Sequence, residues 1–467
     1  MTPLKYIISR LRGTRFALGK RPGMLGRRVA LSERELMHHA LVLGTTGSGK
    51  TTAAMSILSQ AVHAGWGVIL IDLKGDPDNT AQLAGVARDA GRVYSQFAIT
   101  PGERCDSWAP LAAGDPAARM SKVICLSQWT EPYYQSACER FAQLAFVLME
   151  ANGIAPTFDE LIDLLDTPAR MRKLTAVVPA RERERIGRYL VRLLEDRGQM
   201  SALAGLAARI GTLTDLGGPL RIPTRDRRID LDLVSTEGGV CAFSLNSARS
   251  AVTAAQIGAL AILDIQSMVA DRIATGKTQR PVIVCVDEFS ALDADNLLGL
   301  FARARSSRVA MILATQELAD LARVREGFAD QILGLANTKL VLRQELPSSA
   351  DTLAQLPGTV TKRKATTQTN RALFGSTQTG MGSEREVEQF IVHPNVFKRL
   401  RRGQAVLIRK DPARCERVNI KPVIAKPDRA ATIEPIEQPI WLSAPDVDAP
   451  KAVTVDELNN LFDGRAI

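Results

Sequence analysis

The residues best placed to do chemistry lie near the start of the chain. Gly44-Thr45-Thr46-Gly47-Ser48-Gly49-Lys50-Thr51-Thr52 sets two glycines, a lysine and a hydroxyl at the spacing G-x-x-x-x-G-K-[ST]. That chemistry is phosphate binding. Glycines let backbone N–H groups approach an anion, and the start of a following helix favours negative charge. Lys50 is placed to reach the β- and γ-phosphates of a nucleotide such as ATP, and the Thr51 hydroxyl to hold Mg2+. A second constellation is Asp287-Glu288, two acids closing an apolar run. In this setting Asp287 is the second magnesium residue, and Glu288 orients and polarises an attacking water, which favours hydrolysis over binding alone. Gln316 ends the next apolar run, where an amide can sense the γ-phosphate. Between them lie Arg303, Arg305 and Arg308. An arginine supplied across a subunit interface stabilises a transferring phosphoryl group, and Arg305 is the first choice for that role.

These residues need strands to aim them and helices to back them. His39 to Leu43 reads as a buried strand before the loop, and Thr51 to His63 as the helix after it. Gly67 to Asp72, Gly239 to Leu245, Pro281 to Glu288, Val309 to Gln316 and Thr338 to Leu342 are continuous apolar runs, the pattern of parallel strands buried on both faces. The run ending at Asp72 leads into the polar turn Leu73 to Pro77, at a strand end where sites of open α/β sheets lie. Between residues 114 and 235 strand patterns vanish and helical periodicity takes over, as in Ala137 to Met149, or Phe158 to Leu165 behind the capping box Thr157/Glu160. The arginines from Arg170 to Arg197 in this segment interleave with acids, and two readings stay open: a salt-bridged solvent face or a surface facing DNA.

The expected organisation is a basic extension over 1–35, an α/β domain over 36–113, an all-α insertion over 114–235, the second part of the α/β domain over 236–422, and a Pro-rich tail over 423–467. Within the α/β domain, 346–384 reads as polar and loop-like. Leu4, Ile7, Ile8 and Leu11 mark a short basic amphipathic helix, for a membrane surface, DNA or a partner, or a merely solvated extension. Thr454 to Phe462 reads as a short capped helix, either a docking peptide or a helix packed on its own domain.

Composition narrows the partners. The chain has 467 residues and a formal charge of +10, which permits nucleic acid or an anionic membrane. Its 45% hydrophobic content is that of a soluble globular protein. Six scattered cysteines form no C-x-x-C pair. Cys125, Cys241 and Cys285 read as free buried thiols, as in a reducing cytosol. The N-terminus shows no secretory signal. Ala251 to Ala270 is the best candidate for a membrane span, but its Gln256, Asp264 and Gln266 make it a core helix.

The ordered set of motifs resembles the conjugative coupling ATPases of the TraG/TraD type, within the HerA/FtsK superfamily. The resemblance rests on the phosphate loop behind His39 to Gly44, on Ile71 to Asp76, on Val286-Asp287-Glu288-Phe289, and on Ala304-Arg305-Ser306. Ala314-Thr315-Gln316, Asn337-Thr338-Lys339 and Glu384 to Pro394 complete it, so that it covers about residues 36 to 422. It implies a RecA-like P-loop core with a mainly parallel sheet and an inserted all-α domain. It further implies a homo-hexameric ring with nucleotide between subunits, and DNA, taken as single-stranded, in a central channel. Lys362, Arg363 and Lys364 are candidates to face that channel. The insertion would receive the relaxosome or type IV secretion components. Such proteins usually begin with transmembrane helices and this chain shows none, so a cytoplasmic protein is expected, peripheral at the inner face of the membrane through an anchoring partner. The alternatives are a protein-secretion ATPase, a HerA-like repair translocase, and a nucleotide-gated recruitment platform. A small-molecule kinase fits poorly, since no lid pattern accompanies the long insertion.

Overall fold

A computed structural model describes residues 13–23, 26–215, 218–220, 227–276, 280–292, 294–372, 375–422 and 425–433; side chains at 291, 364–372 and 375–384 are outside the description. The basic helix expected at Leu4 to Leu11 and the tail helix Thr454 to Phe462 lie outside the described residues. The strands are β1 (Arg15–Lys20), β2 (Arg28–Ser32), β3 (Ala40–Leu43), β4 (Gly67–Asp72), β5 (Tyr94–Ala98), β6 (Val240–Ser244) and β7 (Val282–Asp287). They continue with β8 (Val309–Thr315), β9 (Thr338–Val341), β10 (Thr359–Ala372), β11 (Gly375–Phe390), β12 (Gln404–Arg409) and β13 (Arg414–Ile420).

All but β10 and β11 join one sheet, in the order β2-β1-β13-β12-β9-β3-β8-β7-β4-β6-β5. From β9 to β5 every pairing is parallel, and from β9 outwards through β12, β13, β1 and β2 every pairing is antiparallel. Side chains of the central strands alternate between two hydrophobic cores, as the period of two demands. Leu41, Leu43, Ile69 and Ile71 enter one core, and Val42, Val68 and Leu70 the other. Helices Lys50–His63 and Pro77–Asp89 cover the second face with Ile57, Leu58, Val62, Leu83 and Val86.

The helices of the middle segment run from Pro116–Ile124 through Pro132–Ala151, Phe158–Asp166 and Ala180–Glu195 to Arg197–Thr214. Their buried Phe141, Phe146, Leu161, Leu190, Leu206 and Ile210 belong to the same core as the first sheet face. Thr157 caps its helix by accepting the Glu160 N–H at 3.2 Å, one half of the expected reciprocal box. Several of the interleaved charges pair on the surface: Arg170 with Asp163, Arg185 with Glu182, and Arg188 with Glu184. Arg183 caps the carbonyls of Thr175, Ala176 and Val178.

Helix Ala251–Thr275 is long and apolar enough to span a membrane, yet it packs inside the protein. Its buried Asp264 accepts from Lys122 Nζ at 2.9 Å and from Trp108 Nε1 at 3.0 Å. Lys122 also donates to the carbonyls of Pro110 and Ala113, so a fully buried ammonium has three acceptors.

Two expectations are corrected. The stretch 1–35 is not simply an extension: within it β1 and β2 bury Phe16, Leu18, Val29 and Leu31. A half-buried antiparallel strand shows only alternation, which Arg15, Lys20, Arg27 and Arg28 obscured. Nor is 346–384 loop-like: it holds helix Pro347–Gln355 and most of a long hairpin, β10 with β11, that forms a sheet of its own. Threonine-rich strands have β-propensity, but this segment offers no hydrophobic period to read.

Candidate nucleotide site

The site forms where the parallel strands end. β3 delivers Gly44, whose flanking atoms leave no room for a side chain: a Cβ there would lie 2.5 Å from Ser48 Oγ and 2.9 Å from Leu342 Cβ. Gly47 and Gly49 turn the loop with φ of 75° and 102°, a region that L side chains rarely adopt. The loop is tied to its neighbours. Gly44 N–H donates to Thr315 O at 3.2 Å, Thr45 N–H to Arg343 O at 3.1 Å, and Gly403 N–H to Ser48 O at 3.0 Å. Helix Lys50–His63 then opens with no side-chain cap and no acid in its first turn, so its leading N–H groups are free to meet an anion.

Strand order decides what meets Lys50. β8 lies between β3 and β7, so Gln316 falls between the loop and the Asp287-Glu288 pair. Lys50 Nζ lies 2.7 Å from Glu288 Oε1 and 3.4 Å from Asp287 Oδ1. Thr51 Oγ1 donates to Asp287 Oδ2 at 2.8 Å. Gln316 Nε2 donates to Glu288 Oε1 at 3.1 Å, and its Oε1 accepts from Thr46 Oγ1 at 3.2 Å. Glu288 has a left-handed backbone, φ 57°, unusual for a residue with a Cβ. Thr45, Thr46, Gly47, Ser48 and Gly49 form the loop itself, while Thr52 is exposed on the first helical turn.

The residues fit a magnesium nucleotide. Thr45 Oγ1 and Ser48 Oγ are buried without a partner, as hydroxyls reserved for an anion would be. Thr51 and Asp287 already converge to the spacing of a shared cation, with Lys50 beside them.

Arg305 is not brought to this cluster. It precedes β8, while Gln316 follows it, so the two lie at opposite ends of a seven-residue strand, about 20 Å apart. Its charge acts on His38 instead, adding to the burial that lowers the His38 pKa. Arg303 and Arg305 are exposed; Arg308 pairs with Glu33 at 2.9 Å.

Asp72 stands in one of the motifs, which assigned it no role of its own. Ending β4 in register with Asp287, it accepts N–H bonds from Lys74, Gly75 and Asp76, and one from Asn79 Nδ2 at 2.8 Å. Burial pushes its pKa up to about 6 against these donors, and the Asp287 charge adds to the rise. Its signals in the sequence were the acid-ended run, the polar turn after it and the motif Ile71 to Asp76. Beyond Glu288 and Gln316 opens a broad cleft of about 1860 Å³, bounded on the insertion side by Trp129 and Arg209.

Fold and site together define a RecA-like P-loop protein with a helical insertion. Residues 281–402 match the family model described as the TraM recognition site of TraD and TraG, and residues 18–107 match the central domain of the helicase HerA. The type 4 coupling protein DotL of Legionella pneumophila subsp. pneumophila is 28% identical over 128 residues, which is 27% of this chain but only 15% of that relative's length. The bacterial conjugative coupling protein TrwBdeltaN70, unbound, has a TM-score of 0.64 at 13% identity, over 92% of this chain and 94% of that one. The plasmid coupling protein TrwB in complex with ADP and Mg2+ has a TM-score of 0.61 at 14% identity, over 90% of this chain and 97% of that one. The structural likenesses show the shared fold. With the two domain matches and the DotL similarity, they make the chain similar to type IV coupling proteins in fold and in parts of its sequence.

Proposed function

We propose that the chain is an ATP-hydrolysing DNA translocase that serves as a coupling protein in conjugative transfer or type IV secretion. The observation that carries this reading is the convergence of Lys50, Thr51, Asp287, Glu288 and Gln316 around one point at the ends of β3, β7 and β8. On binding ATP, Lys50 exchanges its carboxylate partner for the β- and γ-phosphates, and the loop N–H groups and Ser48 hydroxyl complete the cradle. Thr51 and Asp287 would hold Mg2+, which when bound offsets phosphate charge; the complex of TrwB with ADP and Mg2+ supports magnesium-nucleotide binding. Glu288, released from Lys50, takes the proton of a water whose oxygen attacks the γ-phosphorus. The bond to the bridging oxygen breaks, and its electron pair leaves on ADP. Gln316 holds Glu288 and reports the γ-phosphate to the loop through Thr46.

Arg305, far from its own Lys50, serves the nucleotide of a neighbouring copy in a homo-hexameric ring. The moving strand is single-stranded DNA, gripped by its phosphates with weak sequence preference. The insertion meets relaxosome or secretion components, and a partner holds the ring at the inner membrane face.

ATPase assays with single-stranded, duplex and no DNA, on protein whose mass is measured in the same buffer, test this. We expect DNA to stimulate turnover by an assembled form, with steep loss at high salt. Glu288→Gln lowers turnover by about 10²–10⁴-fold with ATP binding retained. Unchanged turnover in that variant refutes the catalytic assignment, and a monomer silent in all three conditions refutes an autonomous motor.

A further inference from the structure

The hairpin β10–β11 separates its charges by face. Its register pairs Thr361 with Glu388, Lys362 with Val387, Arg363 with Glu386, and Lys364 with Arg385. Directly opposed residues share a face and successive residues alternate. One face therefore carries Thr359, Thr361, Arg363, Glu386 and Glu388. The other carries Val360, Lys362, Arg385, Val387 and Gln389, with Lys364 at the register position opposite Arg385.

The first face is compensated. Arg363 Nε lies 3.3 Å from Glu386 Oε1, and Thr359 Oγ1 donates to Glu388 Oε2 at 3.3 Å. The second face has exposed Lys362 and Arg385 as diagonal neighbours, and among its described residues there is no acid. Opposed like charges weaken a strand pair, and a lone two-stranded sheet is marginal in water. This hairpin nonetheless forms a sheet of its own, with Lys362 and Arg385 as diagonal neighbours on one face. With no acid described beside them, two neighbouring cations suit a polyanion, whose phosphates remove their mutual repulsion.

We propose that this second face, with Lys362 and Arg385 as its described cations, binds the phosphate backbone of single-stranded nucleic acid. Arg363 takes no part, although it sits between two lysines in sequence. The proposal rests on the translocase reading and assigns its strand contact to one face of one hairpin.

The test is fluorescence anisotropy of a labelled single-stranded oligonucleotide with the full chain, across a salt series. Binding of a fluorescent ATP analogue serves as the folding control. Lys362→Gln/Arg385→Gln should weaken strand binding about tenfold or more at low salt, and lower the slope of log affinity against log salt by about 1.4, two contacts' worth. Arg363→Gln should change affinity less than twofold. If the double variant also loses the ATP analogue, Lys362→Gln alone carries the test, with an expected loss of about threefold and half the slope change. The proposal is overturned if the double variant binds the strand as the unmodified chain does. It is equally overturned if Arg363→Gln costs as much, or if the double variant loses only sedimentation with phosphatidylserine vesicles. An unmodified chain that binds no strand at any salt refutes the translocase reading itself, a separate outcome.

Discussion

Two regions of the protein bury a lysine against a carboxylate, and they use it differently. Beneath the insertion, Lys122 is enclosed by Asp264 and two carbonyls, and among the described residues Asp264 is shared only with Trp108. At the strand ends, Lys50 meets Glu288 and Asp287, each with other bonds, to Gln316 and Thr51, and Glu288 is 23% exposed. A closed set of partners makes an ion pair structural. A set whose members hold one another, beside unpartnered hydroxyls and an uncapped helix start, can let the lysine go when phosphate arrives. Burial and pairing alone therefore do not distinguish scaffold from machinery; what the partners are free to do distinguishes them.

Replacing each lysine by methionine, nearly its length but uncharged, sharpens the contrast. Lys50→Met should reduce ATP turnover by at least ~100-fold, since it removes a charged donor aimed at the transferring group. Its urea midpoint should move less than that of the Lys122 variant. A Lys50→Met protein that hydrolyses ATP normally would erase the distinction. Lys122→Met should cost about 3–5 kcal/mol in urea unfolding, because Asp264 is left as an uncompensated buried charge. Adding Asp264→Leu should restore much of that loss. If Lys122→Met unfolds like the unmodified chain, the pair is not structural.

A third buried lysine extends the comparison. Lys339, on β9, is 1% exposed and donates to Ala336 O at 2.6 Å. Among the described residues no carboxylate pairs with it. Burial, helped by the Lys410 charge, pushes its pKa from 10.5 down to about 7. Between these values the unfolded chain binds the proton that the folded chain has released, so stability rises with pH across that window. The expected slope is at most about 1.4 kcal/mol per pH unit. Denaturant unfolding at pH 7 to 10 should show it in the unmodified chain and not in Lys339→Met. Equal slopes would mean that Lys339 stays charged in its strand.

How much was legible depended on distance along the chain. The loop from Gly44 to Thr51 is contiguous, and so are the acid-ended runs of β4 and β7, because a parallel strand buried on both faces must be apolar throughout and its end is where polarity returns. Gln316 was legible for the same reason. The hairpin faces were hidden, because 346–384 read as a loop and only the register with β11 puts Glu386 on the face of Arg363 and Arg385 on that of Lys362. β1 and β2 were hidden by the arginines and lysines on their solvent side.

The order of residues was therefore enough to recognise a phosphate-loop pattern and to propose its magnesium pair and water-polarising glutamate, since phosphate chemistry needs those types at short, rigid spacings. Folding settled matters of long separation. It interposed β8 so that Gln316 bonds Glu288, and brought Lys122 to Asp264. It also held Arg305 at the far end of its strand from Lys50. No local pattern encodes those meetings, because they depend on which strands become neighbours and on which side of the sheet the chain returns.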